Sequence, residues 1–573
     1  MIPITRIPGV YGEFNFSMAN RSLPSGRRKV MLIGQRLKAL IEPARFQGGT
    51  LNDASSSGAF SGNAKKDFIV QISLAAATDK FKYSTDGGAT WSAETALAAG
   101  PQALEDGVEI NFAATTGHAA GDEWRFSAWP EPTVAANMPH QLASDTEAAI
   151  MSGYGSIAHA MALAALGASK YIDLNSVELD EAVGAVAAAG SGTVTGPATA
   201  SGTLEAFING VRIAAGYAKG DTESEIALAL QAEMEKRSDL IVFFAVDAAT
   251  PAKVNFTARC KGGLGNQIKI GYRVTPNTGV GFTVVAMAGG ATDPDVSTAH
   301  AAIFGERYHF IATAFNDQTS LEALRDHLDE VSGPVEQRPG YGVWSMSDDY
   351  ATVSSMSGVL NPRRLSNGWL YQDTDTLRQY APFETAAAFA ATCAAHVDSY
   401  GPGTPLNGEE VGGVPAPAIS NRLSRAQIEN ALWNGVCPLK VGPGEKVQIV
   451  RVITAYTKDG QGMDDPTLLD ATKVWTMDYV REAINAMIAR KYRKSKNTQS
   501  TRAAIDLDIY NELKKLEAPD VELVQDVDAN RGLIKAEPDA TVATQVNIKI
   551  PAAIVEGLHV IGIEYFVLAA QLG

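Results

Sequence analysis

Cysteine is scarce in this chain. Three cysteines occur in 573 residues, at Cys260, Cys393 and Cys437. An odd number of widely spaced cysteines is a poor basis for a disulfide framework, and no Cys-x-x-Cys pair suggests a zinc site. The sequence therefore predicts a protein of a reducing compartment that has no structural zinc.

Positive charge is also in deficit, since 48 lysines and arginines stand against 64 aspartates and glutamates, for a net charge of −16. Broad nucleic-acid surfaces need clustered basic side chains, so nucleic acid is not an expected partner. The chain has no uncharged apolar run of about 18 residues, and its first residues lack the basic and apolar regions of a signal peptide. No membrane insertion is therefore expected.

Catalytic motifs are missing as well. The chain has no P-loop and no Gly-x-Ser-x-Gly elbow, and the glycine-rich loop 262–266 completes no phosphate-binding motif. Ser156 and His159 lie three residues apart on a predicted helix, a spacing that is common by chance. The acid pairs Asp348–Asp349 and Glu409–Glu410 are most simply solvated loop charges. We predict a protein that is not an enzyme and that needs no cofactor or metal.

The composition is that of a globular protein, with 45% hydrophobic and 20% charged residues. A chain of this length is expected to form several domains, at roughly 150 residues each. Stretches rich in small residues or proline interrupt the pattern at 48–62, 182–202 and 401–418. We interpret the first two as flexible linkers bordering inserted domains and the third as a domain boundary.

The two inserted stretches have β-rich patterns. Alternation at 68–72 and 108–112 predicts a small β domain in the first. Its residues 84–91 read Ser-Thr-Asp-Gly-Gly-Ala-Thr-Trp, the Asp-box pattern of sialidase-type propellers. A propeller needs one such unit per blade, so this single copy is interpreted as a structural hairpin. The second insert has a hairpin signal at Asn209-Gly210 and an amphipathic helix over 221–236.

Outside the inserts, strand and helix patterns alternate. Predicted strands lie at 29–34, 308–312 and 342–346, and predicted helices at 320–331 and 384–397. This rhythm is typical of a sheet flanked by helices.

The stretch from residue 447 to residue 494 is the most distinctive. Residues 447–456 are apolar on both faces of a strand, which predicts a central strand rather than an edge strand. Pro466 then suits the first position of a helix. Apolar residues at three- and four-residue spacing predict that helix to be long and amphipathic. They are Val474, Met477, Val480, Ile484, Met487 and Ile488.

The order of these motifs resembles that of contractile-tail sheath proteins of bacteriophages, the Mu-like branch above all, a family related to the sheaths of R-type pyocins and type VI secretion systems. The residues that carry the resemblance are Ile7-Pro8-Gly9-Val10-Tyr11, Thr454, Tyr456, Thr457, Asp465-Pro466, Tyr479-Val480-Arg481-Glu482 and the closing segment 555–569. Both ends and the α/β middle take part, and the resemblance is weaker in the two inserts.

The resemblance implies an α/β and α+β multidomain protein with a subtilisin-like α/β sheath core. The implied divisions are an N-terminal inter-subunit arm (1–20), a discontinuous core (21–47, 131–181 and 291–418), an inserted β domain (48–130), a second inserted α+β domain (182–290) and a C-terminal α+β polymerisation domain (419–573). Both inserts would decorate the outer surface.

The resemblance also implies a function. The chain would be a structural subunit of a contractile tail sheath, polymerised as stacked hexameric rings around a tail tube. Contraction would drive the tube through the host envelope during DNA delivery, with free energy from repacked interfaces rather than from a nucleotide. The implied partners are further copies of the chain, the tail tube protein, and the baseplate and tail terminator proteins. The location would be the virion, after assembly in the host bacterial cytoplasm.

Three groups of residues are implied to make the assembly contacts. An apolar arm that pairs with a neighbouring subunit contains Ile2, Ile4, Ile7, Val10, Tyr11 and Phe14. A C-terminal strand added to an adjacent subunit's sheet contains Leu558, Val560, Ile561, Ile563, Tyr565 and Val567. Tube-facing basic residues end the long helix, at Arg490, Lys491, Arg493, Lys494 and Lys496. The helix dipole alone would account for one or two of these cations.

Two other functions stay open from the residues alone. A carbohydrate-binding or adhesive β-rich surface or virion protein would suit the Asp-box and the two small β units, although several Asp-boxes would then be expected. A hydrolase would need a serine, a histidine and an aspartate that the fold brings together.

Overall fold

The structure is a computed structural model that describes residues 27–372 and 378–564. The chain divides into two compact units. The larger unit comprises residues 28–397 and 405–471. The smaller unit comprises, of the described residues, Arg27, 398–404 and 472–564.

The larger unit consists of many short strands and several helices. In chain order the strands are β1 (Lys29–Gln35), β2 (Leu40–Ile41), β3 (Arg45–Phe46), β4 (Ala54–Gly58), β5 (Lys66–Leu74), β6 (Lys80–Ser84), β7 (Thr95–Ala96), β8 (Gln102–Ala103), β9 (Val108–Phe112), β10 (Glu123–Trp129), β11 (His140–Leu142), β12 (Asp173–Leu179), β13 (Ala189–Thr195), β14 (Gly202–Ile208), β15 (Val211–Tyr217), β16 (Val242–Val246), β17 (Lys253–Ala258), β18 (Ile270–Val274), β19 (Gly281–Ala288), β20 (Phe310–Thr313), β21 (Tyr341–Trp344), β22 (Leu365–Trp369), β23 (Cys437–Gly442) and β24 (Lys446–Ile449). The helices as far as residue 433 are α1 (Asp145–Ser152), α2 (Ile157–Ala168), α3 (Glu223–Glu235), α4 (Ser297–Ile303), α5 (Gln318–Val331), α6 (Tyr350–Leu360), α7 (Pro382–Tyr400) and α8 (Arg425–Trp433).

An eight-stranded sheet forms the centre of the larger unit, in the order β11-β12-β1-β20-β21-β22-β23-β24. The strands from β12 to β23 are parallel, and β11 and β24 add antiparallel edges. Every residue of β20, β21 and β22 is buried. Strands buried on both faces are typical of parallel sheets with helices on each side. The predicted α/β character of this part is confirmed.

Helix α5 shows how the sequence builds this layer. The side chain of Asp317 caps the helix by accepting a hydrogen bond from the backbone N–H of Ser320, at 3.0 Å. The buried leucines Leu321, Leu324 and Leu328 then follow at three- and four-residue spacing. On strand β21 a Cβ atom at Gly342 would lie 2.8 Å from Leu328 and 2.2 Å from a leucine of β22. The absence of a side chain there lets helix and sheet approach closely.

The first insert (residues 40–129, strands β2 to β10) is an all-β unit. One sheet contains β2, β10, β5, β6 and β7 with β3 also paired to β10, and a second contains β4, β9 and β8. Its core is aromatic, with the rings of Phe68 and Phe126 stacked at 5.2 Å and Trp124 fully buried beside Phe112. The predicted small β domain is therefore present.

The Asp-box at residues 84–91 uses its polar groups internally. The carboxylate of Asp86 accepts hydrogen bonds from the backbone N–H and the hydroxyl of Thr90, at 2.9 and 2.6 Å, and from the hydroxyl of Ser84 at 2.7 Å. The ammonium of Lys82 lies 4.4 Å from the centre of the Trp91 ring. These contacts stabilise a turn, in agreement with the prediction of a structural hairpin.

The second insert (residues 189–288, strands β13 to β19) is an α+β unit. One of its sheets has the order β16-β17-β13-β19 and the other β15-β14-β18. Strands β14 and β15 are joined by the predicted Asn209-Gly210 turn, in which both residues have positive φ, 47° and 82°. Helix α3 is the predicted amphipathic helix, and Thr222 with Glu225 forms a capping box at its start.

The interpretation of residues 48–62 and 182–202 as flexible linkers is wrong. The first stretch contains β4, and the second contains β13, which lies between β17 and β19 in a sheet. The small residues have a packing role, because a Cβ atom at Gly192 would lie 2.1 Å from the Phe282 ring of the neighbouring strand. Glycine thus makes room for an aromatic ring on the next strand.

The prediction of a central strand over 447–456 is also wrong. Strand β24 spans four residues, Lys446–Ile449, and is the last strand in the sheet order. Its outer side is nevertheless covered, because the N–H groups of Gly408 and Val411 donate to the carbonyls of Ile449 and Val447 at 2.8 and 2.9 Å. Residues 408–411 therefore satisfy backbone groups at the outer edge of β24.

The domain boundary predicted at residue 418 lies elsewhere. Residues 405–471 belong to the larger unit, because β23 pairs in parallel with β22 and β24 pairs with β23. The division between the units falls between Ala471 and Thr472.

Over its described residues, the smaller unit contains two long helices, a short helix and four short strands. These elements are α9 (Ala471–Tyr492), α10 (Gln499–Leu516), α11 (Val527–Asn530), β25 (Val524–Gln525), β26 (Lys535–Pro538), β27 (Val546–Lys549) and β28 (Ala553–Ile554). Buried side chains of α9 and α10 form one core with residues as far as 536, among them Val480, Ile484, Ile509 and Leu513. The predicted long helix and its buried face are confirmed, except that Met477 is 45% exposed.

Helix α9 does not begin at Pro466 as predicted. The carboxylate of Asp465 accepts hydrogen bonds from the Thr467 N–H and the Tyr456 hydroxyl, both at 2.9 Å, and the Leu469 N–H donates to the Pro466 carbonyl. These bonds hold residues 465–469 in a turn, and the helix starts at Ala471.

Candidate functional site

The central sheet contains the kind of crevice at which doubly wound α/β proteins bind ligands. The chain passes from β1 to β12 on one side of β1, and β20 lies on the other side. Ligands of open α/β sheets bind outside the carboxyl ends of the strands at such a reversal of strand order. Residues after Gln35 and after Thr313 border this position.

A loop of the second insert fills that position. The Gln35 side-chain amide donates to the Lys261 carbonyl at 2.7 Å. The Gln267 amide donates to the Asn316 side chain at 2.8 Å, and the Asn316 amide donates to the Ser345 carbonyl at 3.0 Å. This loop therefore makes hydrogen bonds to Gln35 and Asn316, beside the ends of β1 and β20.

Ser156 and His159 do not form a catalytic pair. Ser156 is the N-cap of α2, and its hydroxyl accepts a hydrogen bond from the backbone N–H of His159 at 3.0 Å. The His159 ring accepts from the Gly155 N–H at 3.2 Å through Nδ1. Burial lowers the pKa of His159 to about 4. This arrangement caps a helix and gives the serine no base.

The acid pairs also have structural partners. Asp349 caps α6 by accepting from the Thr352 N–H at 2.9 Å, and Glu410 pairs with Lys446 at 2.6 Å. Glu409 lies 3.6 Å from the His396 ring. Over residues 27–372 and 378–564, no group of three or more histidine, cysteine, aspartate or glutamate side chains is placed to hold a metal ion.

His118, in the first insert, lies between two carboxylates, an arrangement that resembles part of a catalytic site. Its fully buried ring lies 2.9 Å from Asp53 through Nε2 and 3.0 Å from Asp79 through Nδ1. Burial would lower its pKa, but the hydrogen bonds to Asp53 and Asp79 outweigh burial and raise the pKa. Since both ring nitrogens are engaged by carboxylates, the ring holds two chain segments together and has no nitrogen left for a substrate.

Glu384, at the start of α7, is a buried carboxyl group. It accepts hydrogen bonds from the Asn209 side-chain amide at 2.6 Å and from the Ala381 N–H at 2.9 Å. Burial raises the pKa of Glu384 well above its ordinary value despite these two donors. The residue therefore joins the hairpin turn of the second insert to the core.

Replacing Glu384 with glutamine is expected to stabilise the protein at neutral pH. A folded-state pKa above the unfolded value means that stability falls as pH rises past about 4.5, and an uncharged amide removes that loss. We expect the free energy of unfolding of the variant, relative to that of the wild type, to increase from pH 4 to pH 8. Urea unfolding at pH 4 and pH 8 measures it, with exposed Glu330→Gln as the control. Equal stability of Glu384→Gln and wild type at both pH values would contradict the expectation.

The predicted tube-facing residues lie at the end of α9 and just beyond it. All five are exposed. Lys491 pairs with Asp508 of α10 at 2.8 Å, and the hydroxyl of the neighbouring Tyr492 donates to the same carboxylate at 2.6 Å. Arg490, Arg493, Lys494 and Lys496 pair with no acidic side chain in the part of the chain described. Four of the five cations are thus available to a partner.

The predicted C-terminal strand residues form an apolar surface. Leu558, Val560, Ile561 and Ile563 are 71, 83, 71 and 65% exposed. Residues 558–564 form no strand with their own chain, and their predicted addition to an adjacent subunit's sheet stays a prediction. Tyr565 and Val567 lie outside the described residues, as do the arm residues Ile2, Ile4, Ile7, Val10, Tyr11 and Phe14.

Comparison with known proteins gives two matches in sequence. Residues 289–455 match the phage tail sheath protein central domain. A Mu-like prophage FluMu tail sheath protein from Haemophilus influenzae is 29% identical over 332 residues, which cover 57% of this chain. The predicted resemblance to phage tail sheath proteins is confirmed. The match covers 66% of that sheath protein, just under two thirds of its length.

Solved sheath structures are also similar. A sheath tail protein from Desulfitobacterium hafniense aligns with a TM-score of 0.42 and 13% identity, over 74% of this chain and 91% of its own. One from Listeria innocua aligns with a TM-score of 0.38 and 14% identity, over 69% of this chain and 83% of its own.

No helix in the described parts of the chain is long and apolar enough to cross a membrane.

The stretch that matches the sheath central domain, residues 289–455, begins before α4 and includes β20 to β24. Both inserts precede it in sequence. Inspection of the sequence missed the contacts that hold the inserts, in particular Glu42, Arg45 and Arg259, which meet inside the larger unit. No local pattern marks them, because Arg259 lies more than 200 residues from its partner.

Proposed function

We propose that this chain is a structural subunit of a contractile phage tail sheath. The observation that carries the proposal is the match of residues 289–455 to the sheath central domain. The closed crevice of the central sheet supports a structural role over a catalytic one, since the chain's own loop occupies the place where a substrate would bind.

The finer proposal concerns assembly. Copies of the chain form hexameric rings that stack helically around a tail tube, within the virion. The baseplate triggers contraction and a terminator protein caps the tail. Repacking of subunit interfaces supplies the free energy, and the tube is driven through the host envelope.

Two terminal segments link the subunits. The apolar arm, residues 1–20, and the C-terminal segment add strands to neighbouring subunits through β-augmentation. The exposed Leu558, Val560, Ile561 and Ile563 support this role, because a run of solvent-facing apolar side chains favours a partner that covers it. A flexible strand can bend without losing its ladder, so subunits stay connected as the lattice rearranges.

The exposed cations at the end of α9 face the tail tube. Exposed ion pairs are individually weak and are screened by salt. Weak contacts suit an interface that has to release the tube on contraction. Lys491 contributes least, because Asp508 already neutralises it.

Reversing Arg490, Arg493, Lys494 and Lys496 to glutamate is expected to weaken co-assembly with tail tube protein by at least about tenfold at low salt. The subunit should keep its melting temperature, because these side chains are exposed. Co-sedimentation with tube protein over a salt series measures the effect. A variant with Lys170, Lys219, Arg425 and Lys440 reversed carries the same change in net charge on other exposed positions and serves as the control. Equal tube binding by both variants would leave only the helix dipole as the reason for the cluster.

Negative-stain microscopy of the purified protein tests the function itself. Hollow, striated cylinders are the expected product at high protein concentration. Discrete particles of one or two copies under all conditions, from protein that melts cooperatively, would refute a sheath role.

A further inference from the structure

A buried ionic cluster lies where the two inserts meet, and it is centred on Glu42. This residue and its two partners, Arg45 and Arg259, are each at most 6% exposed. Glu42 Oε2 lies 2.6 Å from Arg45 Nη1, and Glu42 Oε1 lies 2.9 Å from Arg259 Nη2. The Trp129 indole N–H also donates to Oε1, at 2.8 Å. The first insert provides Glu42, Arg45 and Trp129, and the second provides Arg259.

Further bonds join the same two inserts. Arg45 Nε lies 3.1 Å from Glu235 Oε1, at the end of α3, and the Gln47 amide donates to the same oxygen at 2.8 Å. The Gln231 amide donates to the Phe46 carbonyl at 2.9 Å and accepts from the Val246 N–H at 2.9 Å. Strand β3 of the first insert is therefore bound to α3 and, through Gln231, to β16 of the second.

The guanidinium groups also cover aromatic rings of the second insert. Arg45 lies 5.1 Å from the centre of the Phe244 ring, and Arg259 lies 5.1 Å from the Phe243 ring. Such contacts add packing to charge pairing. Burial would raise the pKa of Glu42, but Arg259 and Arg45 outweigh burial and hold the pKa below its ordinary value. Glu42 is thus a charged partner for both cations.

Arg259 also ties this junction to the core. Its Nη1 donates to the Tyr154 carbonyl at 3.2 Å, and Cys260 and Lys261, which follow it, contact Gln35 at the end of β1. The loop that fills the crevice of the central sheet therefore begins at the residue that joins the two inserts.

We propose that the two inserts form one cooperative module. The module unfolds and refolds locally as a unit, and its two parts are coupled through Glu42. Buried charges lose their compensation when one partner is removed, so neither insert keeps its native contacts at this junction without the other. Although the inserts are separate in sequence, the module behaves as a single body on the sheath core, and local unfolding of one insert includes unfolding of the other.

Hydrogen exchange of the full-length chain, followed by mass spectrometry of its peptides, tests this coupling. The first variant is Val70→Ala, which removes methyl groups from the core of the first insert and changes no residue of the cluster. If the inserts open together, exchange accelerates roughly tenfold or more both in β5 and β10 and in β16 and β17 of the second insert. Peptides of β20 to β22 should exchange as in the wild type. Acceleration confined to the first insert would overturn the proposal.

The second variant, Glu42→Gln, tests the coupling residue. It leaves Arg45 and Arg259 buried without a full counter-charge, so exchange should accelerate in both inserts. Glu94→Gln, the same change in an exposed pair with Lys80 at the surface of the first insert, is the matched control and should change neither. Normal exchange in the second insert of a folded Glu42→Gln protein would exclude Glu42 as the coupling residue. If Glu42→Gln does not fold, the Val70→Ala result still decides whether the module is cooperative.

Discussion

Replacing Leu558, Val560, Ile561 and Ile563 together with serine is expected to give a folded subunit that no longer polymerises. These side chains are 65 to 83% exposed, so the monomer loses little when they become polar. In a lattice each would be buried against a neighbour, and burial of one such side chain contributes about 1.5–3 kcal/mol. Loss of this burial free energy at four side chains per subunit, repeated at every contact between subunits, should abolish assembly rather than weaken it.

Light scattering against protein concentration measures polymerisation, and a thermal melt checks the fold. A control variant with Tyr171, Val183, Val335 and Ile419 changed to serine removes four apolar side chains that are at least 80% exposed in the larger unit. It should assemble as the wild type does. If the C-terminal variant still forms cylinders, segment 558–563 is not an assembly surface. A melting temperature well below that of the wild type would instead show that this segment supports its own subunit.

Acid is expected to destabilise the subunit through His300 and His327. Their rings stack at 4.9 Å between α4 and α5, and both residues are at most 8% exposed. Burial, reinforced by the neighbouring His327, lowers the pKa of His300 to about 3, and burial lowers the pKa of His327 to about 4. Asp295 opposes the shift at His300, and Arg338 lies over the adjacent Phe304 ring.

The direction in which stability changes with pH follows from proton binding by these two histidines. Above pH 6.5 the two histidines are neutral in both the folded and the unfolded chain and do not affect the pH dependence. Below pH 6.5 the unfolded chain takes up protons that the folded chain excludes, so stability falls until the folded pKa is reached. Between pH 6.5 and about 4.5 each histidine should remove about 2–3 kcal/mol from the free energy of unfolding.

The double variant His300→Leu, His327→Phe isolates this contribution. Its free energy of unfolding should fall less steeply between pH 6.5 and 4.5 than that of the wild type, whatever its stability at pH 7.5. Urea titrations at intervals of half a pH unit measure both slopes. Parallel curves for the two proteins would mean that other groups, such as His159 and His309, dominate acid unfolding.

Local patterns in this sequence predicted local structure well. The three- and four-residue spacing that includes Val480 and Ile484 predicted α9, and Asn209-Gly210 predicted a hairpin. The α/β rhythm of the core and the order of the sheath-like motifs pointed to the family that the comparison supports. The helix and hairpin signals succeeded because each depends only on residues that lie close together in sequence.

Composition gave a wrong prediction where small residues make room for a side chain on a neighbouring strand. The glycines around Gly192 indicate a linker when read alone, yet that position needs glycine because the Phe282 ring of another strand occupies the space. The stretch 447–456 has apolar residues on both faces, which favours a central strand, although β24 is the last strand of the sheet and residues 408–411 are hydrogen-bonded to its outer edge. In both cases the residues that decide the structure are far in sequence from the stretch itself.

The sequence by itself determined helices α3, α5, α7 and α9, several strands, the α/β class of the core and the acidic, cysteine-poor character of the chain, because these follow from residue type and short-range periodicity. Only the tertiary structure decided that the second insert closes the crevice of the central sheet, that His118 is held by two aspartates, and that Glu42 joins two inserts. Such contacts depend on where long-range pairing places a few buried polar groups. A buried charge needs a partner in space, and its position along the chain does not reveal which residue that partner is.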